Sequence, residues 1–419
     1  GNVILTNGTS DNHGILLQSN ANNNFINNNN ITTRGSADSN YGIYLLTIVS
    51  GNNVTNNKVS TSGTSINIGI RLESNANYNF INNNNITTGG SSNNNYGIFL
   101  LTTVSGNNIT GNTILTNGTS DNHGILLQSN ANNNTFFANN ITTSGTGSYG
   151  VRVSSSNNTV FAHTILSSPV EWILTSGVGF VSNFTNTTFL DGNGSIRFSG
   201  LFQINGTSNI TKSKINVTFN KAYVNSTNLP FLNTSAEITL NNLTFTNPEP
   251  TVAFNDLILA TCSSPQCNEV SYNSTTGRFV FNVSSFTTYS STEGINITLT
   301  KTDTPDPIGL LDDRRLNYTI TINVSSGNVT NITLIDTYPN FTVFNSSQPA
   351  PVSGTNNTFF VGNLSAGQIA KVNITLLVLD SANGTVINNT ANITFQNSVG
   401  QTFSLSATEG TNVLHFCHN

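Results

Sequence analysis

Apolar residues in the first part of the chain recur on a fixed spacing. Aligning the sequence on Gly14, Gly42, Gly69, Gly97, Gly124 and Gly150 brings Ile15, Ile43, Ile70, Ile98, Ile125 and Val151 into one column. Two positions further on lie Leu17, Leu45, Leu72, Leu100, Leu127 and Val153, and the residues between them vary (Leu16, Tyr44, Arg71, Phe99). Alternation with one constant apolar side and one free side predicts a strand that buries a single face. A second apolar column holds Ile26, Val54, Ile81, Ile109 and Phe136, and a third holds Ile31, Val59, Ile86, Ile114 and Ile141. Each unit of 26 to 28 residues thus carries three short strands separated by Gly, Asn and Ser.

The repeat is also visible as direct self-similarity. Residues 1–24 recur at 111–134 with one change, Val3 against Thr113, and a looser copy begins at Gly69. Units this short, with three strands each, fit one turn of a parallel β-solenoid in which every strand pairs with its counterpart roughly 4.8 Å along the axis. Two constant asparagine columns support that stacking: Asn24, Asn52, Asn79, Asn107, Asn134, and Asn29, Asn57, Asn84, Asn112, Asn139. Superposed amides hydrogen-bond along such an axis and saturate the backbone groups that each corner leaves unpaired. About seven coils, ending between residues 169 and 189, make a spool of roughly 30 to 35 Å. Gly1 falls inside a repeat, so we expect either further coils before it or another subunit covering that end, the second case giving head-to-tail association.

Past residue 195 the asparagine clusters give way to alternating segments (INVTFNKAYV, AEITLNNLTF, RFVFNVSSFTTY) divided by Pro and Gly, the pattern of antiparallel sandwiches. The expected architecture is all-β: a parallel β-helix over residues 1–190, a β-sandwich over 195–292, a second sandwich over 293–413, and a tail at 414–419.

Three resemblances attach to these segments. The pattern GI-x-L…NN-x-I-x-x-N-x-I resembles the right-handed parallel β-helix repeats of the NosD-like carbohydrate-binding and sugar-hydrolase group. The middle segment, STNLPFLNTSAEITLNNLTFTNP followed by two cysteines and FNVSSFTTYS, resembles a sandwich module of exported archaeal proteins. Lys301 to Pro307 (K-x-D-x-P-D-P), Leu316 to Val324 and Asp336 to Pro339, with VINNTANITF further on, resemble the domain-of-unknown-function-eleven module, an Ig-like surface repeat. Leu310-Leu311-Asp312-Asp313-Arg314-Arg315 departs from that module, whose members have a glycine-containing turn there. These resemblances imply a cell-surface location and, for the last module, no known catalysis; the β-helix resemblance identifies a fold and leaves function open.

Composition narrows the classes. Only 7% of the 419 residues are charged, there is no Met, and the formal charge is −5 with 13 basic residues, which leaves no cationic surface for nucleic acid. No apolar run is long enough to span a bilayer as a helix. Asn, Ser, Thr and Gly are poor helix formers, so a large helical domain is not expected.

The asparagines divide by context. In the solenoid few sit in Asn-x-Ser/Thr sequons, whereas beyond residue 182 most do. Solenoid asparagine is therefore read as architectural and sandwich asparagine as glycan-bearing. Candidate acceptors are Asn30, Asn53, Asn85, Asn108 and Asn140 in the solenoid, then Asn183, Asn216, Asn233, Asn242, Asn282, Asn323, Asn331, Asn373 and Asn392. Compositional drift is the competing reading, but drift acts on both halves alike. Hydrated sugars would also shield a β-rich surface that carries little charge.

Catalysis finds weak support. The solenoid's acids, Asp11, Asp38, Glu73, Asp121 and Glu171, fall in different coils or columns, where no pair can act as acid and base. A column of His13, Tyr41, Ile68, Tyr96, His123 and Tyr149 reads either as a stacking platform for sugar rings or as lateral packing between coils, and we prefer packing. Asp303, Asp306, Asp312 and Asp313 match no calcium-ligand series and read as a turn. Cys262 and Cys267 have the spacing of a small disulfide loop; Cys417, between His415 and His418, is left over. No cofactor or metal is expected. The expected function is a non-enzymatic, N-glycosylated extracellular structural protein whose partners are copies of itself or other surface proteins. A carbohydrate-binding adhesin is the alternative, and a polysaccharide lyase or hydrolase comes third.

Overall fold

The computed structural model describes residues 1–154, 156–157, 159–167, 170–254, 257–311, 313–398 and 400–415. The chain is nearly all β, with 60% of residues in strands, and forms a parallel β-solenoid of about seven turns followed by antiparallel sheets. Among the described residues no helix is long and apolar enough to cross a membrane.

The three expected strands per coil are present, and each stacks on its counterpart in register. The first column runs His13–Gln18, Tyr41–Leu46, Ile68–Glu73, Tyr96–Leu101, Ile125–Gln128, Tyr149–Ser154 and Glu171–Ser176, all parallel. The second begins at Phe25–Asn27 and the third at Val3–Gly8, and both continue coil by coil. Pairing sets Ile15 on Ile43 on Ile70 and Ile31 on Val59 on Ile86, so the inferred columns are the real stacks. From Ile31 onward almost every member of these columns is fully buried.

The opening glycines have a steric cause. A Cβ on Gly42 would lie 2.1 Å from Val59 Cγ1, and one on Gly97 would lie 2.2 Å from Ile114 Cγ2 and 2.6 Å from the Gly124 carbonyl. The first column therefore approaches the third so closely that only hydrogen fits. In the last coil Trp172 takes the position next in register after Gly150. It is fully buried, sits edge-on to Phe189, and donates its indole N–H to the Ile215 carbonyl at 2.8 Å. Where no coil follows, a large ring closes the interior.

Toward that end the second column changes from aliphatic to aromatic. Phe136, Phe161 and Phe184 stack with centroids 4.8 Å apart, and Phe202 continues the stack at 5.2 Å. Strand Val181–Asp191 carries both outer columns at once, with Phe184 on Phe161 and Phe189 on Leu166. Its other edge pairs antiparallel with Gly194–Asn205, which pairs in turn with Ala236–Leu240. The parallel solenoid thus passes into antiparallel sheet without a break in hydrogen bonding. Residue 190, where the sequence places a domain boundary, lies in the first strand of this hairpin, within a single compact unit.

By contacts the chain forms two compact units. One comprises residues 1–243 and 263–290, the other residues 244–262 and 291–419. Residues 296–412 of the second unit form a sandwich of two four-stranded antiparallel sheets. One sheet is built on Asn296–Thr304, Arg315–Ser326 and Ile369–Val378, the other on Val329–Thr337, Val386–Gln396 and Thr402–Asn412. Alternation buries Leu316, Tyr318, Ile320, Ile322 and Val324 from the first sheet against Ile332, Leu334, Ala391 and Ile393 from the second.

Candidate functional site

The asparagine columns form continuous amide ladders. In the Asn29 series, each asparagine sends its backbone N–H and its Nδ2–H to the Oδ1 of the next: Asn29 to Asn57, Asn57 to Asn84, Asn84 to Asn112, and Asn112 to Asn139, at 2.9–3.0 Å. The second Nδ2 hydrogen reaches a corner carbonyl, as in Asn84 to Val54 at 2.9 Å and Asn112 to Ile81 at 2.8 Å. For Asn57, Asn84 and Asn112 every amide site is then filled, which is the condition for burying a carboxamide without loss. The Asn24 series repeats the scheme through Asn52, Asn79, Asn107 and Asn134.

A third ladder was not anticipated. Asn12, Asn40, Asn67, Asn95 and Asn122 link side chain to side chain at 2.7–3.0 Å, and the Asn122 backbone N–H continues to Ser148 Oγ at 2.8 Å. Its signal was present in the sequence, because these asparagines immediately precede the His/Tyr column.

The His/Tyr column lies on the outward face of the first strand column, where its rings engage one another. His13 stacks on Tyr41 (4.9 Å, 8°) and Tyr96 on His123 (5.5 Å, 2°), with Ile68 between the two pairs. Beside them run Tyr44, Arg71, Phe99 and Leu126. The Arg71 guanidinium lies over the rings of Tyr41, Tyr44 and Phe99 at 4.9, 5.2 and 5.5 Å. It also donates to the Tyr41 hydroxyl at 2.6 Å and pairs with Glu73 at 2.7 Å, while the Tyr44 hydroxyl donates to the same carboxylate. The result is a packed outer cluster: Tyr41, Tyr44 and Phe99 are only 7–8% exposed and Leu126 is 1%. The faces of Tyr41, Tyr44 and Phe99 are covered by protein, while His13, Tyr96 and Tyr149 are half-buried.

Burial governs the protonation of this cluster. It pushes the His123 imidazole down to about 3, with the positive charge of Arg152 acting in the same direction, and Arg152 Nη1 lies 3.0 Å from His123 Nε2. Burial also lowers His13, raises Tyr44, and raises Tyr96 to about 12. All of these groups are neutral near pH 7, and none is poised for proton transfer.

The solenoid's acidic residues stay apart. Asp38 accepts from Ser65 Oγ at 2.6 Å, Glu73 is held by Arg71, and Glu171 accepts from the Lys212 backbone N–H at 2.8 Å. Asp11 and Asp121 occupy one register position four coils apart, roughly 19 Å by coil spacing. In the second unit Asp303 accepts from the Thr411 hydroxyl, Asp306 from the Asn412 backbone N–H at 3.0 Å, and Asp313 from the Arg315 backbone N–H at 3.1 Å. Asp312 lies outside the described residues. Among the described residues no group of three or more His, Cys, Asp or Glu side chains could hold a metal ion.

None of the fourteen candidate acceptor asparagines is buried. Asn30, Asn85, Asn108, Asn140, Asn233, Asn242, Asn282, Asn331 and Asn373 are exposed, and Asn53, Asn183, Asn216, Asn323 and Asn392 are half-buried. Cys262 and Cys267 are both disulfide-bonded and almost fully buried. Cys417 and His418 lie outside the described residues.

The fold and these ladders define a parallel β-solenoid continued by antiparallel sheets. No family model matches the chain and no curated protein matches it. Among solved structures it is similar to a DUF4466 family protein from Parabacteroides merdae, at 11% identity and a TM-score of 0.17. That match covers 26% of this chain and 42% of the other.

Proposed function

We propose that the protein is an exported, N-glycosylated structural component of a cell surface, a spacer or envelope subunit and not an enzyme. One observation carries this reading. Five of the solenoid sequons, the candidate acceptors Asn30, Asn53, Asn85, Asn108 and Asn140, alternate between two columns coil by coil. In the third strand column Asn30, Asn85 and Asn140 are separated in register by Lys58 and Thr113, and in the second Asn53 and Asn108 are separated by Phe80. Neighbouring acceptors within a column are thus two coils, roughly 10 Å, apart. That spacing gives each glycan room, and their sum would clothe a face nearly without charge.

Supporting points are the solvent access of all fourteen candidates, the disulfide, which belongs to an oxidising compartment, and the scattering of the solenoid's carboxylates over different coils. Self-engaged rings on the outer face favour a structural role over the adhesin reading. An archaeal-type surface layer fits this chemistry and belongs to the same proposal.

Peptide-resolved glycan mapping of material from the native source tests the proposal. Occupied Asn30, Asn85 and Asn140, with every ladder asparagine bare, is the expected pattern. Unmodified peptides at all fourteen positions would refute it.

A further inference from the structure

The second compact unit places charge where a sandwich ordinarily places hydrocarbon. Lys301, on Asn296–Thr304, and Asp336, on Val329–Thr337, have side chains with no solvent exposure, and Lys301 Nζ donates to Asp336 Oδ1. The other carboxylate oxygen, Oδ2, accepts from Asn389 Nδ2 at 3.1 Å. Asn389, on Val386–Gln396, is fully buried, and its Oδ1 has no hydrogen-bond partner. The Tyr318 ring lies 4.8 Å from Lys301 Nζ, and Ile320, Leu334, Ala391 and Ile393 belong to the same apolar core. One carboxyl group is therefore held between an amine and a carboxamide, away from water.

A simple ion pair explains this arrangement poorly. Buried pairs contribute little net stability because desolvation offsets the attraction, and a fully buried amide with an empty acceptor adds a further penalty. The arrangement has a chemical logic instead. Burial lowers the Lys301 amine, against the pull of Asp336, and raises the Asp336 carboxyl, against the pull of Lys301. Both shifts favour a neutral pair, with the proton on the carboxyl and a free lone pair on the amine. A neutral amine is a nucleophile, and a neutral carboxyl can donate to the carboxamide oxygen as negative charge develops there.

We propose that Lys301 and Asn389 become joined by an intramolecular isopeptide bond, formed without any other reactant, with Asp336 as the acid–base residue. The Lys301 Nζ lone pair attacks Asn389 Cγ, and the carbonyl electrons move onto Oδ1, which is stabilised by the Asp336 proton. The carboxyl group then takes a proton from Nζ and delivers one to Nδ2. The carbonyl re-forms as Nδ2 leaves as ammonia. One C–N bond forms and one breaks, nothing is oxidised or reduced, and the chain loses one NH3. The product ties a strand of one sheet to a strand of the other and closes residues 301–389 into a covalent loop, which limits extension of the sandwich under load.

Protease mapping of the full chain by tandem mass spectrometry tests the bond. We expect a branched peptide joining the Lys301 and Asn389 segments, lighter by one ammonia than the two together, and loss of the linear peptides. Asp336→Asn should restore the linear peptides. Should that variant fail to fold, the unmutated map still decides the matter. Quantitative recovery of Lys301 and Asn389 in separate, intact linear peptides overturns the proposal, and an undiminished branched peptide in Asp336→Asn overturns the role given to Asp336.

Discussion

At each corner of the solenoid, a ladder asparagine and a sequon asparagine are chemically identical neighbours with opposite duties. Asn84 is buried with every hydrogen-bonding site filled, while Asn85 next to it is exposed. The alternation that separates them also controls the sequon. Two residues after a ladder asparagine the chain points inward again, at Ile26, Val54, Ile81, Ile109 or Phe136, or reaches the packed glycine, so Ser or Thr has no place there. Two residues after an outward asparagine lies an outward threonine, as in Asn108 and Thr110, whose hydroxyl donates to Asn108 Oδ1 at 2.5 Å. Replacing Asn84 with Ala strands the Asn57 backbone N–H and the Val54 carbonyl, each worth about 1–3 kcal/mol when buried unpaired. We expect a loss on the order of 3 kcal/mol, against less than about 0.5 kcal/mol for Asn85→Ala, measured by urea unfolding of the two variants.

His123 supplies a pH dependence with a definite sign. Its folded-state pKa, pushed down to about 3, lies below the ordinary histidine value of 6.5, so the unfolded chain binds a proton that the folded chain refuses. The stabilisation is complete above 6.5 and lost as pH falls from there toward 3, at up to about 1.4 kcal/mol per pH unit. The unfolding midpoint should drop between pH 6.5 and 4, and His123→Gln should flatten that slope. An equal slope in the variant would assign the effect elsewhere.

At the level of the strand, the repeat made the solenoid legible because each column was sampled five or six times. Stacking on glycine exposes one apolar alternation, two further apolar columns and two amide columns in the sequence, and register pairing places them as inferred. The third ladder escaped because Asn12, Asn40, Asn67, Asn95 and Asn122 adjoin a more conspicuous aromatic column. The spool's end was illegible for a different reason: Trp172 substitutes for a glycine only where stacking stops, and nothing periodic announces it. Nor did the motif residues Lys301 and Asp336 signal a joint role with Asn389. Sequence separations of 35 and 53 residues are bridged only by the sandwich's own packing. The glycine column offers a strand-level test. Gly97→Ala drives a methyl into Ile114 and the Gly124 carbonyl, and overpacking of that kind costs about 1–3 kcal/mol or more. Combining it with Ile114→Ala relieves the side-chain clash while leaving the carbonyl contact, so a partial recovery is expected in thermal unfolding.

For the molecule as a whole, 7% charge and abundant β-structure leave little electrostatic repulsion to oppose association. If glycans supply the missing hydration, enzymatic deglycosylation of native material should raise its self-association, read by light scattering at fixed concentration; an unchanged particle size would remove that role from the sugars. The more basic proposition is that three amide ladders lock the coils together along the axis. Hydrogen exchange of the native protein, followed peptide by peptide, addresses it most directly. The backbone amides of Asn57, Asn84, Asn107 and Asn112, which sit at corners but donate to neighbouring side chains, should exchange as slowly as those of the adjoining strands and only on global unfolding. Exchange at those corners on the timescale of open loops would show that the ladders do not hold, and with them would go the stacked spool on which the rest of the interpretation stands.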